Sequence, residues 1–184
     1  MLILLAFALS GAAALMYEVV WTRALSLVLG STVYALSTML STFMGGLAIG
    51  AFIGGRISHR ANPTFLLGLC ELGIGVSGLV SIPIIYNLPY LYAYIYKGLH
   101  LHPVLFYGFQ VLVCGLVMLG PTTLMGATFP LVVKYISRNI EEVGKTTGMA
   151  YSFNTVGAVT GSLAVGFLFI PMLGVKGATF VAAA

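Results

Sequence analysis

LILLAFALSGAAALMYEVVWTRALSL (residues 2–27) and VYALSTMLSTFMGGLAIGAFIGGRI (residues 33–57) are two apolar runs divided by a break at Gly30-Ser31. A helix needs about 20 residues to cross a hydrocarbon core roughly 30 Å thick. Each run exceeds that length, and the second stops at a basic cluster, Arg56, His59 and Arg60. The reading is a pair of membrane helices. The first run has no basic residue before it and is longer than the roughly 7–15 residues of a signal-peptide core, so it reads as a helix that stays attached.

The rest of the chain repeats this logic. Hydrophobic residues make up 60% of the 184, charged residues 7%, and mean hydropathy is +1.08. A soluble domain needs about 25% charged residues to cover its surface. There is no Asp, and the acidic residues are Glu18, Glu71, Glu141 and Glu142. The net charge of +4 is too small and too scattered for a nucleic-acid footprint. The basic residues read instead as topology signals and headgroup contacts. Cys70 and Cys114 lie in apolar runs with no second ligand nearby, which reads as buried thiols and no metal site.

A third segment spans about 64–88, introduced by Asn62-Pro63 as cap and first-turn residue and kinked late by Pro83. The stretch 89–103 follows, with five of the ten tyrosines between Tyr86 and Tyr96. Beside Lys97, His100 and His102 it reads as an interfacial belt, with a short helix at the headgroups. The fourth segment, about 104–135, is interrupted by Pro121 and Pro130 and reads as kinked or tilted. The fifth covers about 148–173, broken by Pro171. A sixth begins near Gly177 with about 12 Å of helix, so the natural chain is expected to continue past Ala184. The expected fold is an all-α, polytopic membrane bundle over residues 1–184, with five complete transmembrane helices and the start of a sixth.

Lys and Arg in short loops set orientation. Arg56, Arg60, Lys134, Arg138 and Lys145 fall on one side, and Arg23, Lys97 and Lys176 on the other. The richer side is taken as the inner face, which makes the N-terminus cytoplasmic in a multi-pass protein of the inner (plasma) membrane.

Gly46, Gly50 and Gly54 recur every four residues and share a helix face, and α-helical spacing repeats with Gly157 and Gly161, then Ser162 and Gly166. Such stripes let backbones approach closely, either as fixed packing or as a sliding interface. A carboxylate inside a membrane helix costs several kcal/mol by insertion scales, about 2.5–3.5 at the centre, so Glu18 and Glu71 ask for a partner or a role. Glu18 reads as an interfacial residue, a partner of Arg23, or a substrate or proton site. Glu71 reads as a protonated structural carboxyl or a functional one. Asn154, Gln110, Thr122 and Thr123 must find hydrogen bonds away from lipid, by helix-to-helix bonding or, for Asn154, with a ligand. His100 and His102 read as ordinary interfacial histidines. No hydrolase elbow, zinc-protease pair or phosphate loop is present, and no cofactor is expected.

Several blocks resemble the membrane region of spermidine-synthase-like membrane proteins, the fused major-facilitator/spermidine synthase type. They are YEVVWTR (17–23), GSTVYA (30–35), FMGGLAIG (43–50) and GGR (54–56), then GPTTLMGATFP (120–130) and YSFNTVGA (151–158). The resemblance implies a major-facilitator-half-like helix set and a Rossmann-like aminopropyltransferase domain, after Ala184 or on another chain. It puts no catalytic residue in this segment. GGRISHR (54–60) lacks the acidic residue of the major-facilitator loop signature. The leading expectation is an anchor or a polyamine/cation transport-like module, with Glu18 and Glu71 holding the cation and Asn154 a neutral hydrogen bond. The alternative is a non-catalytic subunit of a larger energy-converting or electron-transfer membrane complex. Its partners are then the lipid bilayer and other chains of that complex.

Overall fold

The computed structural model describes residues 1–184 apart from Ser31, Arg60, Ala61, His100, Leu101 and Arg138, and apart from the side chains of Leu99 and Ile140. The expected roles of Arg60, Arg138 and His100 lie outside the described residues. Helices α1 (Leu2–Leu29), α2 (Val33–Ile57), α3 (Pro63–Leu99) and α4 (Pro103–Ile136) are followed by a 3-10 turn (Ile140–Glu142). Then come α5 (Val143–Ala164), a π-turn (Val165–Phe169) and α6 (Ile170–Ala183), with no strand among the described residues. Five helices, the last running from Val143 to Ala183, are long and apolar enough to cross a membrane.

The helix starts follow local chemistry. Thr32 accepts a hydrogen bond from the Ala35 amide (3.2 Å), and Asn62 Oδ1 accepts one from Thr64 (3.0 Å) ahead of Pro63. His102 Nδ1 faces the Val104 amide at 3.4 Å before Pro103. The expected end of the third helix near residue 88 is corrected. α3 passes through Pro83 and Pro89 and is 37 residues long, about 55 Å, so the tyrosine belt is its far end rather than a separate helix. Asn87 Nδ2 donates to the Pro83 carbonyl one turn back in the same helix (2.8 Å). The expected break at Pro171 is corrected too: the helix continues to Gly174, whose φ of 69° and ψ of 177° interrupt it. The fifth helix also starts earlier than expected, at Val143.

The interior is aromatic and small-residue rich. Tyr17 and Trp21 stack at 5.2 Å between centroids, and Trp21 Nε1 donates to Ser81 Oγ across α1 and α3 (2.8 Å). Leu9, Phe65 and Phe167 are 72%, 70% and 82% exposed, so the outer surface is as apolar as the core, as a lipid-facing surface must be.

Two helix pairs dominate the packing, α2 on α4 and α1 on α5, and both pairs run parallel. They are built alike. A methyl on Gly54 would come within 2.8 Å of the Ala127 Cα, and one on Gly161 within 2.6 Å of the Ala12 Cα. Gly50 meets the Thr123 carbonyl as Gly157 meets the Ala8 carbonyl. Gly126 of α4 sits on Leu47, and Gly11 of α1 on Asn154. The spacings match residue for residue: Ala8, Gly11 and Ala12 stand for Thr123, Gly126 and Ala127, and Asn154, Gly157 and Gly161 for Leu47, Gly50 and Gly54. Exchanging α1, α2 and α3 with α4, α5 and α6 also carries the α3–α4 pairing onto α6–α1. α1 runs alongside α3, with Tyr17 at Gly78 and Trp21 at Ser81, while α4 runs against α3, with Leu124 at Gly73 and Gln110 at Tyr92. The two halves are therefore related by a pseudo-two-fold with opposite chain directions.

Candidate functional site: a central cavity

Between the two glycine-seated pairs lies a cavity of about 220 Å³, lined from α1, α2, α4 and α5. Phe7, Phe43 and Phe129 form apolar wall, and Ser10, Tyr151 and Asn154 bring polar atoms. The glycines set its position, because helices that touch at the backbone hold the flanking side chains in a fixed frame. The lining departs from the pseudo-two-fold where it is polar. Leu47 lines it from α2 while Asn154 occupies the equivalent place on α5, and Met125 of α4 stands where α1 has Ser10.

Asn154 Nδ2 donates to the Phe7 carbonyl at 3.1 Å, which fixes the amide orientation. Its Oδ1 is left with acceptor capacity toward a ligand. Ser10 stands beside the carboxyl of Glu71, which reaches α1 from α3. The structure therefore brings Asn154, Ser10 and Glu71 to one level of the bundle. Glu18 is elsewhere. It lines a groove of about 580 Å³ between α1 and α2 with Thr22, Arg23 and Ser26, and two turns of α1, about 12 Å, separate it from Ser10.

Other expected residues sort by geometry. Gly46, Gly50, Gly54, Gly157 and Gly161 are buried, whereas a methyl on Gly166 would meet nothing within 4 Å. The packing role expected for Gly166 is thus corrected. Continuing the four-residue spacing from Gly161 leads to Val165, which is fully buried, and the π-turn begins there. Thr122 and Thr123 bond back to the Met118 and Leu119 carbonyls of their own helix (2.8 and 2.7 Å), not across to another. Gln110 offers its backbone carbonyl to Tyr92 Oη at 3.2 Å, and Cys114 Sγ lies 3.5 Å from the same hydroxyl. Arg56 stacks over Phe52 at 4.5 Å, and with Lys134 and Lys145 it marks one end of the bundle. Arg23, Lys97 and Lys176 mark the other, with Lys176 Nζ 4.7 Å from the Tyr86 ring. Among the described residues no three His, Cys or Glu side chains gather as a metal site would need.

Sequence reading missed Ser10, Tyr151 and the glycines Gly11 and Gly126. A lone glycine in an alanine run, or before a proline-bounded turn of helix, carries no stripe to reveal it. The signal that finds them is the pairing of short motifs between halves, GA at 11–12 and GA at 126–127. No protein-family model matches the chain, and no curated protein or solved structure matches it.

Proposed function

We propose that this chain is the integral membrane domain of a spermidine-synthase-like protein and serves as a polyamine/cation transport-like module. In this reading it anchors a cytoplasmic aminopropyltransferase-like domain, and its N-terminus is cytoplasmic in the inner (plasma) membrane. The observation that carries the reading is the cavity on the pseudo-two-fold, with Asn154 and Ser10 in its lining and Glu71 beside Ser10. Helix repeats of inverted direction, with a site at their interface, are the usual plan of secondary transporters. A major-facilitator-half-like arrangement, including a sixth spanning helix after Gly174, follows from the same reading.

In this mechanism the Glu71 carboxylate supplies the charge that attracts an alkylammonium group. Asn154 Oδ1 and the Ser10 hydroxyl accept its N–H donors, and the phenyl walls face its methylene chain and offer cation–π contact. The test is spermidine binding to the full chain in nanodiscs, by calorimetry. The Glu18→Gln, Glu71→Gln double variant should lose binding while keeping its melting temperature. Unchanged binding in that variant would sink the polyamine reading.

A further inference from the structure

At the basic end of the bundle a second concavity, about 480 Å³, opens between the end of α2, the last turns of α4 and the start of α5. Its rim is polar, with His59, Lys134, Ser137 and Asn139, and its wall is apolar, with Phe129 and Val133. Gly55 also lines it, and a methyl there would meet nothing within 4 Å, so the glycine leaves that side open. Lys134 is an exposed ammonium, and His59 adds a ring N–H or an imidazolium. Glu141 and Glu142, the carboxylates nearest in sequence, do not line the groove.

A second, independent observation points to an occupant. Among the described residues, the buried Ser137 Oγ has no hydrogen-bond partner. A buried hydroxyl left unpaired is destabilising, so it marks a place where a partner atom belongs. Ser58, on the facing helix end, is already satisfied through the Gly55 carbonyl at 2.8 Å. Beside the Asn139 amide and Thr147, the groove offers the Ser137 hydroxyl, the Lys134 ammonium and the His59 imidazole, with no carboxylate in its described lining. That set recognises a phosphate oxygen cluster.

We propose that this groove is a headgroup site for an anionic glycerophospholipid. The phosphate sits among Lys134, His59 and Ser137, and the first carbons of an acyl chain lie along Phe129 and Val133. The amphipathic division of the lining favours a lipid over a free phosphate ion, which would leave the phenyl and valine wall uncovered. The location agrees, since helix ends rich in Lys and Arg mark the headgroup level of the inner leaflet.

The experiment uses the full chain in mild detergent with phosphatidylglycerol or phosphatidylcholine added, and counts retained lipids by native mass spectrometry. One phosphatidylglycerol should be retained at least tenfold more strongly than phosphatidylcholine. The Lys134→Gln, His59→Gln variant should erase that preference, and Ser137→Ala should weaken it several-fold. Lys97→Gln, at the opposite end, should leave it intact and controls for general loss of charge. Equal retention of the two lipids, or an unchanged preference in the Lys134/His59 variant, would overturn the proposal. So would displacement of the lipid by millimolar inorganic phosphate, which would make the site one for the free ion.

Discussion

Asn154 on α5 donates a 3.1 Å hydrogen bond to the carbonyl of Phe7 on α1, at the place where the matching helix pair sets Leu47 of α2 against Gly126 of α4. One half of the bundle thus holds an amide where the other holds an isobutyl group of similar size. Asn154→Leu should fold, because the structure already accommodates leucine in an equivalent seat. The cost should be that of one hydrogen bond in a membrane, about 0.6 kcal/mol and no more than about 1.7. Thermal unfolding in detergent reads this as a shift of a few degrees. A loss several times larger would mean that the amide organises the bundle rather than the cavity.

The glycine seats should be far less forgiving. Gly157→Val pushes two methyls into the Ala8 carbonyl, and Gly50→Val does the same at Thr123. Neither obstacle is a flexible side chain, so the helices must separate. Overpacking costs about 1–3 kcal/mol even where side chains can yield, and these two should reach or exceed the top of that range. The pseudo-two-fold makes the two losses similar in size. Gly166→Ala should be neutral, since a methyl there reaches open space. Folded yield by size-exclusion fluorescence separates the three.

How much of this was legible in the sequence follows from what each signal depends on. Asn62-Pro63 and the four-residue glycine spacing are local, and both the start of α3 and the buried seats at Gly46, Gly50, Gly54, Gly157 and Gly161 fall where those signals lie. The end near residue 88, before Pro89, and the break at Pro171 misled because proline tends to end helices in water, while membrane helices tolerate it and these run on. Gly166 misled because its four-residue spacing is from Ser162, one residue round from the buried face that runs Gly157, Gly161 and Val165. The cavity was half visible. Asn154 and Glu71 stood out as polar groups in apolar runs, but that Ser10 lies between them depends on how α1, α3 and α5 are arranged.

Gly174 should resist replacement for a reason of backbone conformation rather than space. Its φ of 69° with ψ of 177° belongs to a region that only glycine enters without strain. Gly174→Ala should cost roughly 1–3 kcal/mol, and it should favour a straight helix that draws the following segment off α1 and α3. Ala183 lies against Gly75 of α3, its carbonyl 3.4 Å from where a methyl on that glycine would sit. Disulfide trapping between Gly75→Cys and Ala183→Cys should be efficient with Gly174 and several-fold weaker with alanine there. Equal trapping would show that the break is not what docks the chain end.

The separation of the two membrane carboxylates gives the sharpest division of roles. Glu71 stands beside Ser10, which lines the central cavity, whereas Glu18 faces a groove with Arg23, two turns away along α1. If the cavity holds the cation, the single variants must behave differently although the sequence treats the two residues alike. Glu71→Gln should weaken spermidine binding at least tenfold, because it removes the charge nearest the cavity and leaves only neutral acceptors. Glu18→Gln should leave affinity within about twofold, since it lies about 12 Å along α1 from Ser10 and lines a separate groove with Arg23. Calorimetric titration of each variant in nanodiscs measures both numbers. The reverse ranking would move the cation to the α1–α2 groove, and equal losses would point to long-range attraction by net charge instead of a site.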